Sequence, residues 1–230
     1  MKKKLFSLLT IIMLAGLTAC GKTDSKEELK KPVPIEEANI GDTVLFGTYE
    51  QDNITTNGKE AIEWRVLDKG PDGSLLVISR FVLDGGIYYT KYDYVTWESC
   101  TLRSWLNTDF LNEAFSASEQ ERIVKTKVVN NDNLEMNTSG GNDTEDKVFL
   151  LSLEEADKYF KDDKDRLGKV TAYADHNGEI MGEGCSWWLR SPGNFQSYAA
   201  LVYGDGRIGP IGTAVSFSNE GIRPVIVIRP

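Results

Sequence analysis

The C-terminal segment, residues 222–228, constrains the fold of this chain more than any other feature, because apolar residues fill both faces of the strand that it would form. Side chains along a strand point alternately to opposite faces, so Ile226 and Ile228 lie on one face and Val225 and Val227 on the other. A strand with two apolar faces is buried on both sides. The segment therefore predicts an internal strand of a sheet.

Further strands are predicted on both sides of a helical middle. Short β-favouring runs, separated by turn-forming residues such as the Gly-Pro-Asp-Gly of residues 70–73, occupy residues 43–49, 61–68, 74–80, 148–151, 186–190, 198–203 and 214–217. The first three runs follow one another closely, which predicts an antiparallel meander.

The middle of the chain carries helix signals. Leu102, Trp105, Leu106 and Phe110 recur at the offsets expected when one face of a helix packs on a core, with Ser99 as the predicted N-cap. Two short helices, near residues 118–124 and 153–160, are predicted from capping-box pairs: Ser118 with Glu121, and Ser152 with Glu155. Together these elements predict an α+β fold with mostly antiparallel strands and two to three short helices.

The composition indicates one globular domain. Forty per cent of the 230 residues are hydrophobic, enough for one sizeable core, and no long linker or repeat divides residues 41–230. The formal net charge is −9, opposite in sign to the charge that nucleic-acid binders need. We therefore expect no DNA or RNA partner.

The N-terminus has the pattern of an export signal. The lysines Lys2, Lys3 and Lys4 precede a mainly apolar run over residues 5–19. As a helix this run would span about 22 Å, less than the roughly 30 Å hydrocarbon core, which predicts a cleaved signal peptide over residues 1–19. Its end, Leu-Thr-Ala-Cys, resembles the bacterial lipobox, which implies that Cys20 becomes lipidated, with palmitate among its acyl chains.

Cleavage after residue 19 would remove three lysines and no acid, leaving a net charge of −12. Anionic headgroups repel such a body, whereas two or more acyl chains hold a protein stably on a membrane. Residues 20–40, rich in Lys and Glu and interrupted by Pro32 and Pro34, are predicted to be a flexible tether. We expect a lipid-anchored protein on the cell membrane that faces outside the cytoplasm, with residues 41–230 as its folded domain.

Few residues offer recognisable chemistry. Export permits a disulfide between Cys100 and Cys185, but two separate buried thiols are favoured because no feature pairs them. The single histidine, His176, lies in a polar turn-forming cluster, and no Gly-x-Ser-x-Gly elbow surrounds a serine. Residues 204–209 spell Gly-x-Gly-x-x-Gly, but the β-like residues that follow predict a hairpin turn rather than a dinucleotide site.

The acidic residues leave two questions open. Residues 130–146 are predicted to be an exposed loop whose Asn, Asp and Glu oxygens suit calcium, although they lack the order of a helix-loop-helix site. A plain solvated loop is the other interpretation. The 35 Asp and Glu residues include enough carboxylates for glycoside cleavage, but the sequence does not place two of them across a cleft.

Adjacent tryptophans mark the strand at residues 186–190. Trp187 and Trp188 must point to opposite faces, and Trp188 shares its face with Arg190. If the other face is core, Trp188 and Arg190 form an exposed surface of the kind that stacks sugars or binds a protein, and these two are the candidate ligand-binding residues. The alternative is that both tryptophans are buried and Arg190 pairs with a carboxylate.

Four segments together resemble a bacterial domain family of unknown function that is common in lipoproteins and other exported proteins. They are Thr-Leu-Arg-Ser-Trp-Leu-Asn at 101–107, Asp-Lys-Val-Phe-Leu-Leu-Ser at 146–152, Trp-Trp-Leu-Arg-Ser-Pro-Gly at 187–193 and Gly-Ile-Arg-Pro at 221–224. The family is similar, more distantly, to the C-type-lectin-like fold of formylglycine-generating enzymes. The resemblance implies one lectin-like domain but no reaction, because those enzymes use two neighbouring late cysteines and Cys185 has no such neighbour.

The expected function is a lipid-anchored recognition or scaffold domain, without a metal or cofactor, whose ligand is a glycan or a cell-surface protein. The alternative is a hydrolase of cell-wall or glycan material. An enzyme needs acid, base or nucleophile side chains that converge in one cleft, whereas a binding domain needs an exposed aromatic and polar patch.

Overall fold

The computed structural model describes residues 31–178 and 184–230. Its strands are β1 (Thr43–Tyr49), β2 (Glu60–Lys69), β3 (Leu75–Ser79), β4 (Phe81–Val82), β5 (Asp84–Gly85), β6 (Thr126–Val128), β7 (Thr144–Asp146), β8 (Val148–Phe149), β9 (Lys169–Val170), β10 (Trp187–Pro192), β11 (Tyr198–Val202), β12 (Ile208–Ala214), β13 (Gly221–Ile222) and β14 (Val225–Ile228). Its α-helices are α1 (Thr101–Trp105), α2 (Leu111–Ala114), α3 (Ala117–Arg122), α4 (Leu153–Tyr159), α5 (Asp163–Arg166) and α6 (Ala172–Gly178).

Two five-stranded sheets organise the domain. The first has the strand order β1-β2-β3-β14-β8 and is antiparallel throughout. The second has the order β12-β11-β10-β13-β5, and its one parallel pair is β10 with β13. The predicted α+β fold with mostly antiparallel strands and short helices is confirmed, and the meander predicted at the start is β1, β2 and β3.

The predicted C-terminal strand is internal, but it is split between the two sheets. β14 lies between β3 and β8 in the first sheet, whereas β13 belongs to the second. Arg223 and Pro224 separate them. Pro224 has no N–H to donate to a ladder, and its carbonyl accepts instead from the N–H of Ser79. The prediction of one continuous strand over residues 222–228 is therefore wrong at these two residues.

The apolar stripe predicted for the middle helix is confirmed. α1, a π-helical turn over Leu106–Phe110 and α2 follow one another without a break, and Leu102, Leu106 and Phe110 are buried in the main core. The predicted N-cap is wrong by one residue. Ser99 lies inside a short 3₁₀ helix, so it cannot be the N-cap of α1. Cys100 takes that position, and its Sγ accepts from the N–H of Arg103.

One of the two predicted capping boxes is displaced. At α3 the box consists of Ser116 and Glu119, not of Ser118 and Glu121. Ser116 has the extended backbone that an N-cap requires, while Ser118 lies inside the helix. The box at the start of α4 is as predicted.

Several boundaries differ from the sequence predictions, three of them in ways that bear on the fold. Strand β12 ends at Ala214, so residues 214–217 form a turn, which the N–H of Phe217 closes on the Ala214 carbonyl. Residues 130–146 are not wholly exposed, because their last three residues form β7 and pair with β6. Ile35 and Ala38 are buried in the main core, so the folded domain begins before residue 41.

Candidate functional site

Both predicted ligand-binding residues are buried. Strand β10 has six buried residues in succession, so it is covered on both faces. The Trp188 indole Nε1 donates to the Gly86 carbonyl at 2.8 Å, and its ring meets that of Tyr88 at 5.6 Å between centroids. The prediction of an exposed Trp188 and Arg190 surface is therefore wrong, because the chain around residues 86–88 covers the second face of the strand.

The buried Arg190 side chain links strand β10 to segments that are distant in the sequence. Its guanidinium donates to the carbonyls of Leu150 at 2.8 Å and Val129 at 2.9 Å, and it forms an ion pair with both carboxylate oxygens of Glu155. Glu155 also accepts from the Ser152 N–H in the capping box of α4. The alternative in which Arg190 pairs with a carboxylate is the one that the structure shows.

Arg223 has a similar position without an acidic partner among its hydrogen bonds. It donates to the carbonyls of Ser79, Arg80 and Arg166, and its guanidinium lies 4.9 Å from the centroid of the Trp187 ring. Burial lowers the pKa of Arg223 to about 9. Arg190 in the tryptophan motif and Arg223 in the C-terminal motif thus each link backbone segments that are distant in the sequence.

The structure also shows where the other candidate residues of the sequence analysis lie. Cys100 and Cys185 are free and buried, as favoured, and burial raises the pKa of each thiol to about 12, which makes both poor nucleophiles at neutral pH. His176 is exposed, but on α6 rather than in a turn. Residues 204–207 form the predicted hairpin turn between β11 and β12. Cys20 lies outside the described residues.

The acids of residues 130–146 largely have protein partners. Asp146 is buried and accepts from Trp97 Nε1 at 3.0 Å and from Arg103 Nε at 2.7 Å. Asp143 forms an ion pair with Lys127 that lowers the pKa of its carboxyl group. Calcium binding by this segment stays an untested alternative.

A separate carboxylate cluster lies where β1 passes into β2. Glu50, Asp52 and Glu60 each place an oxygen within 4.8 Å of the others. All three carboxylates hold the connecting loop through hydrogen bonds. Glu50 and Asp52 accept from the Ile54 N–H, and Glu60 accepts from the N–H groups of Gln51 and Asp52. The cluster is explained by this structural role.

The exposed Tyr92, Tyr94, Phe195 and Leu134 lie on three loops, whereas the exposed Phe217 lies in the turn after β12. One loop precedes α1, a second precedes β7, and a third joins β10 to β11. We call residues 91–98, 132–139 and 193–198 the loop platform. Its exposed apolar side chains are Tyr92, Tyr94, Leu134 and Phe195, with 63%, 79%, 86% and 58% of their surface accessible.

Three aromatic rings of the loop platform contact one another. The ring centroid of Tyr198 lies 5.5 Å from that of Phe195 and 6.5 Å from that of Tyr92, both in edge-to-face geometry. Edge-to-face pairs are favourable and fix ring orientation. The three side chains therefore form one surface rather than separate exposed residues.

Hydrogen bonds hold the three loops in place. The N–H of Val95 donates to the Gln196 carbonyl, while the Gln196 amide donates to the carbonyls of Val95 and Ser139. Thr138 Oγ1 donates to the Gly193 carbonyl at 2.5 Å. Each loop is thus tied to another before any ligand arrives, which lowers the ordering cost of binding.

The sequence analysis missed this surface, although a local signal existed. Tyr92 and Tyr94 alternate with charged residues in a segment without an apolar face, and Phe195 follows Pro192 and Gly193 between two predicted strands. Aromatic residues that alternate with charged residues in such turn-forming segments are often exposed, although Trp97 of the same segment is buried. Only the contacts between the loops show that they meet.

Comparisons with known proteins identify the family. No helix in the described residues is long and apolar enough to cross a membrane. No curated protein and no solved structure matches the chain. A family model described as a domain of unknown function, DUF6273, matches residues 72–230. The match spans most of the chain, including the loop platform and both buried arginines, and the chain therefore belongs to the DUF6273 family.

Proposed function

We propose that this protein is a lipid-anchored, lectin-like recognition domain that binds its ligand outside the cytoplasm through the loop platform. The observation that supports the proposal is the cluster of exposed aromatic side chains on loops that are already fixed. Exposed aromatic patches of this kind mark binding sites more often than chance surface variation. The lipobox-like sequence ending at Cys20 supports the membrane anchor.

The buried motif residues support a scaffold role for the rest of the domain. Arg190 and Arg223 use their donors on backbone carbonyls and, for Arg190, on Glu155. Such side chains position loops without contacting a ligand. The described residues thus separate a rigid interior from an exposed surface, as in binding domains whose loops carry specificity.

A binding screen with the purified full chain in neutral detergent tests the proposal. The probes are immobilised cell-wall fragments, glycans and purified surface proteins. A Tyr92→Ala, Phe195→Ala double variant should lose at least about tenfold in affinity for whatever the wild type binds. An Ile40→Ala variant, which changes an exposed apolar residue outside the platform, should bind like the wild type.

The hydrolase alternative gives a different result in the same material. Release of new reducing ends from the cell-wall fragments, at a rate proportional to the protein concentration, would contradict a pure binding role. Equal affinities of the wild type and the double variant for every ligand would exclude the loop platform as the binding surface.

A further inference from the structure

The charged side chains of the loop platform are mostly acidic. Its acids are Asp93, Glu98, Asp132 and Glu135, against the single cation Lys91. Within the described part of the chain, none of these four carboxylates takes part in an ion pair. The whole chain also carries a net charge of −9. Asp93, Glu98 and Asp132 each accept a hydrogen bond from a neutral donor. The platform therefore presents apolar rings among negative charges that have no cationic partner.

Three of the polar side chains that could read sugar hydroxyl groups already donate to backbone carbonyls. Gln196 uses its amide N–H groups on two backbone carbonyls, and Asn133 donates to the carbonyls of Pro192 and Pro210, each at 2.9 Å. Thr138 donates to Gly193. A glycan site needs several free donors and acceptors around its aromatic rings, because each buried hydroxyl group must be satisfied.

The apolar part of the platform is mixed rather than purely aromatic. Leu134 is the most exposed large apolar side chain of the described residues, and it lies on the segment that Thr138 ties to Gly193. Aliphatic side chains pack against other apolar side chains, whereas sugars stack on flat rings. Tyrosine rings also attract Lys and Arg side chains through their π faces.

We propose that the loop platform binds a cationic polypeptide segment, one that combines Lys or Arg with apolar side chains. This inference rests on the proposed recognition function and names its ligand class. The acids attract the basic groups, the Tyr92 and Tyr198 rings receive their aliphatic stems, and Leu134 and Phe195 contact the apolar residues. Because the loops are tied together beforehand, binding does not require them to be ordered.

Fluorescence anisotropy with the full chain in neutral detergent tests the inference. The basic probe is a labelled 12-residue peptide with two repeats of Lys-Ser-Lys-Leu-Lys-Ser, and the acidic probe has Glu in place of every Lys. A neutral chitin oligosaccharide is the third probe. We expect the basic peptide to bind, the acidic peptide to bind at least about tenfold more weakly, and affinity for the basic peptide to fall with added salt.

Four variants assign the binding to the platform. Tyr92→Ala with Phe195→Ala should weaken basic-peptide binding at least about tenfold, and Asp93→Asn with Glu135→Gln about fivefold. The matched charge control is Glu121→Gln with Asp157→Asn, two exposed acids on α3 and α4. The matched apolar control is Ile40→Ala. Both controls should retain wild-type affinity and salt dependence.

Three results would overturn the inference. They are equal binding of the acidic and basic peptides, unchanged basic-peptide binding in both platform variants, and no binding of either peptide. Oligosaccharide binding that the Tyr92→Ala, Phe195→Ala variant abolishes, without peptide binding, would overturn the cationic-ligand inference while supporting the proposed recognition function. Failure of every ligand in the wider screen would instead count against the proposed function itself.

Discussion

At the scale of single residues, buried arginine side chains link segments that are distant in the sequence. Arg190 joins β10 to the carbonyl of Leu150 and to Glu155 in α4, and Arg223 joins the β13–β14 crossing to Ser79 at the end of β3. A guanidinium has five N–H donors in one plane, so it can satisfy several carbonyls at once, whereas a lysine ammonium cannot match that geometry. This explains why arginine occupies both motif positions.

Replacing Arg190 by Met should destabilise the domain strongly. The change removes the donor to two carbonyls and the cation that pairs with Glu155, which, among the described residues, keeps only the Ser152 N–H. We expect a loss of about 3 kcal/mol in the free energy of unfolding, the lower end for a broken buried pair, because Glu155 keeps 30% of its side chain exposed. Urea denaturation measures the loss.

The matched control is Arg207→Met, which removes an ion pair with Asp205 whose side chains are 67% and 54% exposed. Exposed pairs contribute at most about 1 kcal/mol, so this variant should unfold close to the wild type. Equal losses in Arg190→Met and Arg207→Met would contradict the role given to Arg190.

Asp84 should make stability depend on pH. Its carboxyl group is buried and accepts from the Tyr49 hydroxyl at 2.6 Å, and burial raises its pKa above the ordinary value of about 3.9. The folded state therefore binds the proton more tightly than the unfolded state. The stabilising contribution is fully present below pH of about 4 and is lost as the pH rises through the folded pKa.

Asp84→Asn removes this titration and keeps a carbonyl acceptor for Tyr49. The free energy of unfolding of the variant minus that of the wild type should become more positive from pH 4 to pH 7. A constant difference between the two proteins does not affect this trend. Urea denaturation across that range measures the two slopes. Parallel pH profiles would show that Asp84 has the same pKa in the folded and unfolded states.

At the scale of secondary-structure elements, local patterns predicted many of the strands and helices, but not β12, α5 or α6, and they did not predict what covers the strands. Alternation placed Trp187 and Trp188 on opposite faces, as in the structure. That both faces are buried follows from Phe160 against Trp187 and from Tyr88 against Trp188. These partners are distant in sequence, so no local pattern shows them.

Capping at α3 shows a second limit. Ser116 with Glu119 and Ser118 with Glu121 both match the Ser-x-x-Glu pattern. Only the first pair forms the box, and its Glu119 Oε1 also accepts from the N–H of Gly47 in β1. The two pairs are equivalent in the local sequence, and the pair that forms the box is the one that also contacts β1. The sequence alone therefore does not decide between them.

Removing either tryptophan of β10 should therefore destabilise the domain to a similar degree. Trp187→Ala and Trp188→Ala should each lower the free energy of unfolding by about 3–5 kcal/mol, because each leaves a large cavity in a packed core. Tyr94→Ala, on the exposed loop platform, should change it by less than about 0.5 kcal/mol. Thermal and urea unfolding check these values, and an unaffected Trp188→Ala variant would restore the exposed surface predicted from the sequence.

At the scale of the whole molecule, the candidate site could not be predicted because it is assembled from three loops. Residues 91–98, 132–139 and 193–198 are each ordinary polar segments when taken alone. Gln196 joins the third loop to the first two, and Thr138 joins the second to the third. The predicted export signal, in contrast, is contiguous in the sequence, so its prediction rests on residues 1–20 alone.

Membrane attachment should depend on Cys20 and on no other cysteine. Acyl chains contribute about 0.8 kcal/mol for each buried methylene, whereas a body with net charge −12 gains nothing from anionic headgroups. In cells supplied with labelled palmitate, Cys20→Ala should abolish label incorporation and the shift in mass that accompanies signal cleavage. Cys100→Ala and Cys185→Ala, which change thiols buried in the domain, should keep both. Palmitate incorporation into the Cys20→Ala protein at the wild-type level would mean that the lipid is attached elsewhere, and the lipobox-like sequence would then be only the end of an ordinary signal peptide.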